Sequence, residues 1–85
     1  MNMRICIVTP AAASSSTGNR HTASRYAAFL RARGHRARIV VQWDGAPCDA
    51  MIALHARRSR SSIIAYRDRY PNGPLVVVLT GTDVY

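Results

Sequence analysis

The chain has 85 residues, a hydrophobic fraction of 48% and a net charge of +8, which allows one small α/β-sized domain and argues against disorder. All twelve basic residues are Arg, and Lys and Glu are both absent. The basic balance favours an anionic partner without choosing between nucleic acid, a phosphorylated metabolite and a membrane surface. The first apolar run, at the amino end, is far too short for a signal peptide or a membrane span.

Arg4-Ile5-Cys6-Ile7-Val8 is β-branched and apolar, as in a buried strand. Thr9-Pro10 stops it, because Pro has no N–H for a ladder. Ala11 to Gly18 is a loop of small, uncharged residues. A helix follows over Asn19–Arg33, with Ala23, Tyr26, Ala27 and Leu30 at i, i+3, i+4, i+7. Gly34 fits its left-handed stop. Arg36 to Trp43 is a second strand, and Asp44-Gly45-Ala46-Pro47 a turn. Ala50 to Leu54 is a third strand, ending at His55. Ala56 to Ser62 is a basic, Ser-rich connector with Ser59 and Ser61 as helix N-caps. A second helix spans Ser61–Tyr70, with Ile63, Tyr66 and Tyr70 on one face, and Pro71-Asn72-Gly73-Pro74 ends it. Leu75 to Leu79 is a fourth, fully apolar strand of the kind that a parallel sheet covered on both faces requires.

The order β-α-β-β-α-β predicts a Rossmann-like, doubly wound α/β sheet with the first strand inside. Ile5, Ile7, Val40, Ile52, Leu54, Val76 and Val78 are its expected core. The connection between the second and third strands is only about eight residues long, short for a parallel crossover. A hairpin between these two strands is the competing reading. Only six residues follow the fourth strand, so the chain is expected to be the front part of a larger protein.

Cys6 and Cys48 lie 42 positions apart, in no metal or redox spacing. Cys6 reads as a core residue, Cys48 as a loop thiol, and a reducing cytoplasm suits both. Three segments converge on the carboxyl edge if the strands are parallel. The first carries Gly18, Asn19, Arg20 and Thr22 at a helix start, where free N–H groups and the dipole favour an anion. It is neither G-x-G-x-x-G nor a P-loop, and a capped, flexible loop explains it equally. The second carries His55, a candidate general base or donor, with Arg57 and Arg58 as phosphate contacts. A backbone-satisfied His and a solvated basic connector are the plain alternatives. The third carries Gly81, Thr82 and Asp83, the last a candidate for orienting a hydroxyl or acting as base; a turn is the plain alternative. His21 is a weaker candidate, and His35 is expected at the surface. The Arg residues at 25, 31, 33, 36 and 38 read as a solvated face. No helix-turn-helix, finger or aromatic RNA-binding pattern is present, so the nucleic-acid reading rests on charge alone.

Arg4 to Pro10, then Gly18-Asn19-Arg20 with Thr22-Ala23, then Leu30 to His35, resemble the acceptor-side domain of GT-B glycosyltransferases of the group 4 type. Trp43-Asp44-Gly45 to Cys48-Asp49, Ala53 to Ser59 and Leu79 to Tyr85 narrow the resemblance to the selenosugar synthases of selenoneine biosynthesis. The resemblance covers essentially the whole chain. It implies sugar transfer from a UDP-sugar donor to selenophosphate, giving a 1-selenosugar. It implies no cofactor and no metal, the UDP-sugar being a substrate. In GT-B enzymes the nucleotide sugar is held mainly by a C-terminal domain, so these residues are expected to be the N-terminal part only and inactive alone. The alternative is a basic α/β module that binds nucleic acid or another polyanion.

Overall fold

The computed structural model describes residues 2–9, 17–54 and 59–78, and of residues 17–20 the backbone only. Its elements are β1 (Arg4–Val8), α1 (Thr17–Ala32), β2 (Arg36–Val40), β3 (Ala50–Leu54), α2 (Arg60–Arg69) and β4 (Leu75–Val78). The four strands form one sheet in the order β2-β1-β3-β4, and every pairing is parallel. The sheet is α/β and doubly wound, with β1 inside as the pattern predicts.

Period-two alternation along β1 divides the core. Ile5 and Ile7 face α1 and pack with Ala23, Ala27 and Leu54. Cys6 and Val8 face the other way and pack with Trp43, Cys48, Met51 and Tyr66 of α2. The two helices therefore cover opposite faces. Ala23 and Ala27 are fully buried, and their small side chains let α1 approach the sheet closely.

The short β2–β3 connection is a parallel crossover and not a hairpin: both strands pair with β1, one on each side. It runs without a helix, and Trp43 and Cys48 from it fill the α2 face. The step β1→β2 runs one way across the sheet on the α1 face. The steps β2→β3 and β3→β4 run the other way on the α2 face. All three crossovers thus share one hand, as the rule for parallel connections requires. The Trp43 ring meets Tyr66 edge-on at 5.6 Å and lies 6.3 Å from Tyr70. Its N–H groups are satisfied too, the backbone donating to Ser62 Oγ at 3.0 Å and Nε1 to the Ala46 carbonyl at 3.0 Å.

Several boundaries differ from the sequence reading. β2 stops at Val40, three residues early, because its partner β1 ends at Val8, the register mate of Val40. The Thr9 N–H donates to the Val40 carbonyl at 2.8 Å and closes the ladder. α1 begins at Thr17, two residues early, since once a helix exists each further turn residue adds a hydrogen bond at low cost. α2 begins at Arg60, with Ser59 at its N-cap position but without a side-chain cap. The Ser59 hydroxyl instead donates to the Leu54 carbonyl at 2.6 Å, and Ser61 lies inside the helix. Gly34 ends α1 as expected, at φ +89°. The His35 N–H reaches the Leu30 carbonyl and the Gly34 N–H the Arg31 carbonyl, both at 3.1 Å, which is a Schellman stop.

Two expectations fail. His35 is half-buried, its Nδ1 accepting the Met3 N–H at 3.1 Å. It therefore ties the helix stop to the start of β1. Val76 is 55% exposed, because β4 is the last strand of the sheet and no described element covers its α1-side face. Val40, Ile52 and Val78 are half-buried; Ile5, Ile7 and Leu54 are core. Leu79 lies outside the described residues.

Candidate functional site at the carboxyl edge of the sheet

β1 and β3 are neighbours, and the chain leaves their carboxyl ends toward helices on opposite faces. This is a topological switch point, the place where an open parallel sheet leaves a crevice for ligands. Because every strand is parallel, α1 and α2 both start on this side, with their positive dipole ends toward it. β3 and β4 end in register, Leu54 beside Val78.

Thr9 stands at the end of β1. It is fully buried, and its Oγ1 has no hydrogen-bond partner among the described residues. A buried hydroxyl without a partner is costly, and at a switch point a ligand oxygen can satisfy it. Sequence reasoning missed Thr9 and gave it only the role of ending the strand. The available signal was a Thr immediately after a buried run, at the mouth of a small-residue loop.

Of the residues singled out in the sequence, Gly18, Asn19 and Arg20 lie in the first turn of α1. Thr22 is one turn further on and half-buried. With Arg25, Tyr26 and Phe29 it lines a hollow of about 570 Å³ along α1. His55, Arg57, Arg58, Gly81, Thr82 and Asp83 lie outside the described residues. His21 is exposed.

The described carboxylates serve elsewhere. Asp49 accepts the Arg4 N–H at 2.8 Å and pairs with the Arg4 guanidinium at 3.5 Å. Asp44 pairs with Arg38 at 3.1 Å and accepts the Ala46 N–H at 3.0 Å. These contacts, the backbone N–H bonds first, hold both acids below the usual carboxylate range. Asp68 is exposed on α2.

Neither thiol is poised as a nucleophile. Cys48 lies in the β2–β3 loop, as read from the sequence, but it is buried there, and burial pushes its pKa up. Burial likewise pushes the Cys6 thiol up to about 11. Both are protonated near neutral pH, whereas a reactive cysteine needs its thiolate. Among the described residues, no group of three or more His, Cys, Asp or Glu side chains is placed to hold a metal ion, and no helix is long and apolar enough to cross a membrane. In comparisons with known proteins, no family model and no curated relative matches the chain.

Proposed function

We propose that this chain is the acceptor-binding part of a GT-B glycosyltransferase, holding a selenophosphate-like oxyanion at the carboxyl edge of the sheet. The observation that carries the reading is the switch point between β1 and β3, with the buried, unpartnered Thr9 hydroxyl beside it. The resemblance of the Gly18-Asn19-Arg20 and His55 to Ser59 segments supplies the reaction class. In this reading the first turn of α1 offers N–H groups, and Asn19, Arg20 and Thr22 offer side chains, to the oxyanion. Arg57 and Arg58 would add guanidinium contacts, and Gly81 and Thr82 would count among the acceptor-binding residues. His55 and Asp83 position the acceptor or the sugar. The selenium attacks the anomeric carbon of a UDP-sugar, the bond to the UDP oxygen breaks, and UDP leaves with the electron pair. A second domain of the GT-B architecture holds that donor. The reading places the chain in the cytoplasm.

The test is an anaerobic titration of the chain with selenophosphate, followed by amide chemical shifts. Shifts are expected at Thr9 and over residues 17–22. Arg20→Lys should weaken binding by about tenfold to a hundredfold, since a Lys cannot copy a guanidinium fork. Arg33→Lys should change it little, because Arg33 lies over the exposed Phe29 ring at 4.5 Å. Equal, small effects from both variants would overturn the assignment. So would duplex DNA binding that falls with salt by roughly one unit of slope per phosphate contacted and that selenophosphate does not compete. That result would favour the basic-module reading.

A further inference from the structure

The other end of the sheet carries a cationic cavity. It has a volume of about 240 Å³ and lies between the α2-side face of β1 and β2 and the β2–β3 connection. Arg4, Arg36 and Arg38 line it, with Cys6, Pro47 and Cys48. The register sets Arg4 beside Arg36 and Cys6 beside Arg38, and alternation keeps all four on one face. Three guanidinium groups thus share one corner of the sheet.

Their compensation is incomplete. Arg4 has Asp49 and Arg38 has Asp44. The Arg36 side chain is exposed and has no partner among the described residues. It stands between two ion pairs, next to Arg4 across the ladder and two positions before Arg38 on β2. Like charges side by side in a sheet repel, and an anion between them converts repulsion to attraction. Behind the arginines the wall is uncharged: Cys6 and Cys48 are 1% and 6% exposed, and Pro47 is apolar. A ligand that fits both parts has an anionic head and a compact neutral body.

We propose that this cavity binds a small phosphomonoester, its phosphoryl group held by Arg36 between Arg4 and Arg38 and its uncharged body against Cys6, Pro47 and Cys48. One guanidinium fork satisfies the two oxygens of a carboxylate. A phosphoryl group has three oxygens and accepts from more than one arginine at once. The site is independent of the switch point, which lies at the opposite ends of the same strands.

Phenyl phosphate at low ionic strength is the probe, read by amide chemical shifts. Saturable shifts are expected over residues 36–38 and at Ala46 and Cys48. Arg36→Gln should weaken that binding by about tenfold or more, and Arg36→Lys by less. Arg33→Gln should leave it within about twofold, as a charge remote from the cavity would. Benzoate, matched in body but carrying a carboxylate, should bind more weakly than phenyl phosphate. The proposal is overturned if the shifts appear only at Thr9 and residues 17–22, or if Arg36→Gln and Arg33→Gln cause equal losses. Equal binding of benzoate would overturn the phosphoryl assignment. Selenophosphate shifts at the switch point that survive in Arg36→Gln keep the two sites separate, so either can fail without the other.

Discussion

Cys6 shows how a single buried group writes itself into the behaviour of the chain. It sits inside β1, 1% exposed, where a thiolate loses its hydration. Its pKa is pushed from 9.0 to about 11, by burial first and by the nearby Cys48 second. The folded state therefore keeps a proton that the unfolded state gives up. Its contribution to stability is complete below the unfolded value and declines as the pH rises through the folded one. Urea midpoints should be level near neutrality and fall between pH 9 and 11. Cys48 and Tyr66 are raised by burial in the same direction, so Cys6→Ala should flatten that fall without abolishing it. An unchanged slope in the variant would show that Cys6 does not titrate as its burial demands.

At the scale of the element, the β2–β3 connection does a helix's work with one side chain. Trp43 is 9% exposed and forms an aromatic cluster with Tyr66 and Tyr70. Gly73 completes the cluster, since a Cβ there would stand 2.7 Å from the Tyr66 hydroxyl and 2.9 Å from the Tyr70 Cβ. Removing the indole leaves a cavity and breaks the bond to Ala46. Trp43→Ala should cost about 3–5 kcal/mol, close to the whole stability of a small domain. Trp43→Phe keeps a ring and loses the indole bond, and should cost about 1 kcal/mol from that bond, plus any packing loss. Phe29→Ala, at a ring 56% exposed on α1, should cost no more than about 1 kcal/mol. Urea unfolding followed by far-UV circular dichroism makes the comparison without relying on the chain's one Trp as reporter. Similar costs for Trp43→Ala and Phe29→Ala would mean that the connection is not part of the core.

At the scale of the molecule, the sheet is unevenly finished. The β2 edge carries Arg36 and Arg38, charges that discourage edge-to-edge pairing. The β4 edge is Leu75–Val78, with Val76 55% and Val77 39% exposed and no charge in the strand. An apolar groove of about 260 Å³ between Tyr26, Phe29 and Leu30 on one side and Ile52, Val76 and Val78 on the other runs beside it. Such an edge is a template for another strand. The chain should self-associate with rising concentration, and Val76→Lys should suppress this while leaving the circular dichroism spectrum intact. Light scattering that does not depend on concentration, or that the substitution does not change, would refute the role of this edge.

The sequence by itself determined the element order and favoured a parallel sheet, but it left the pairing of the second and third strands open, which only their place on either side of β1 decides. The apolar run Leu75–Leu79 was the signal for a sheet covered on both faces, and β1 and β3, inside the sheet, are the strands that receive that cover. Gly34 is legible for a local reason, because the φ of +89° that it adopts is strained for any residue with a Cβ. What the sequence could not decide were the properties that depend on neighbours distant in the chain. β2 ends where β1 ends, Ser59 turns back to Leu54 instead of capping its helix, and Trp43 and Cys48 become core because they cross the face that α2 covers. Val76 is exposed for the converse reason: its composition calls for burial, but its place at the end of the sheet denies it a cover. At the candidate site the helix start at Gly18 to Thr22 was visible as a local pattern. Thr9 was not, because a hydroxyl is orphaned only by the packing around it. The cavity at Arg36 was hidden likewise: only the β1–β2 register puts Arg4 beside Arg36, across a separation that no local reading of the chain spans.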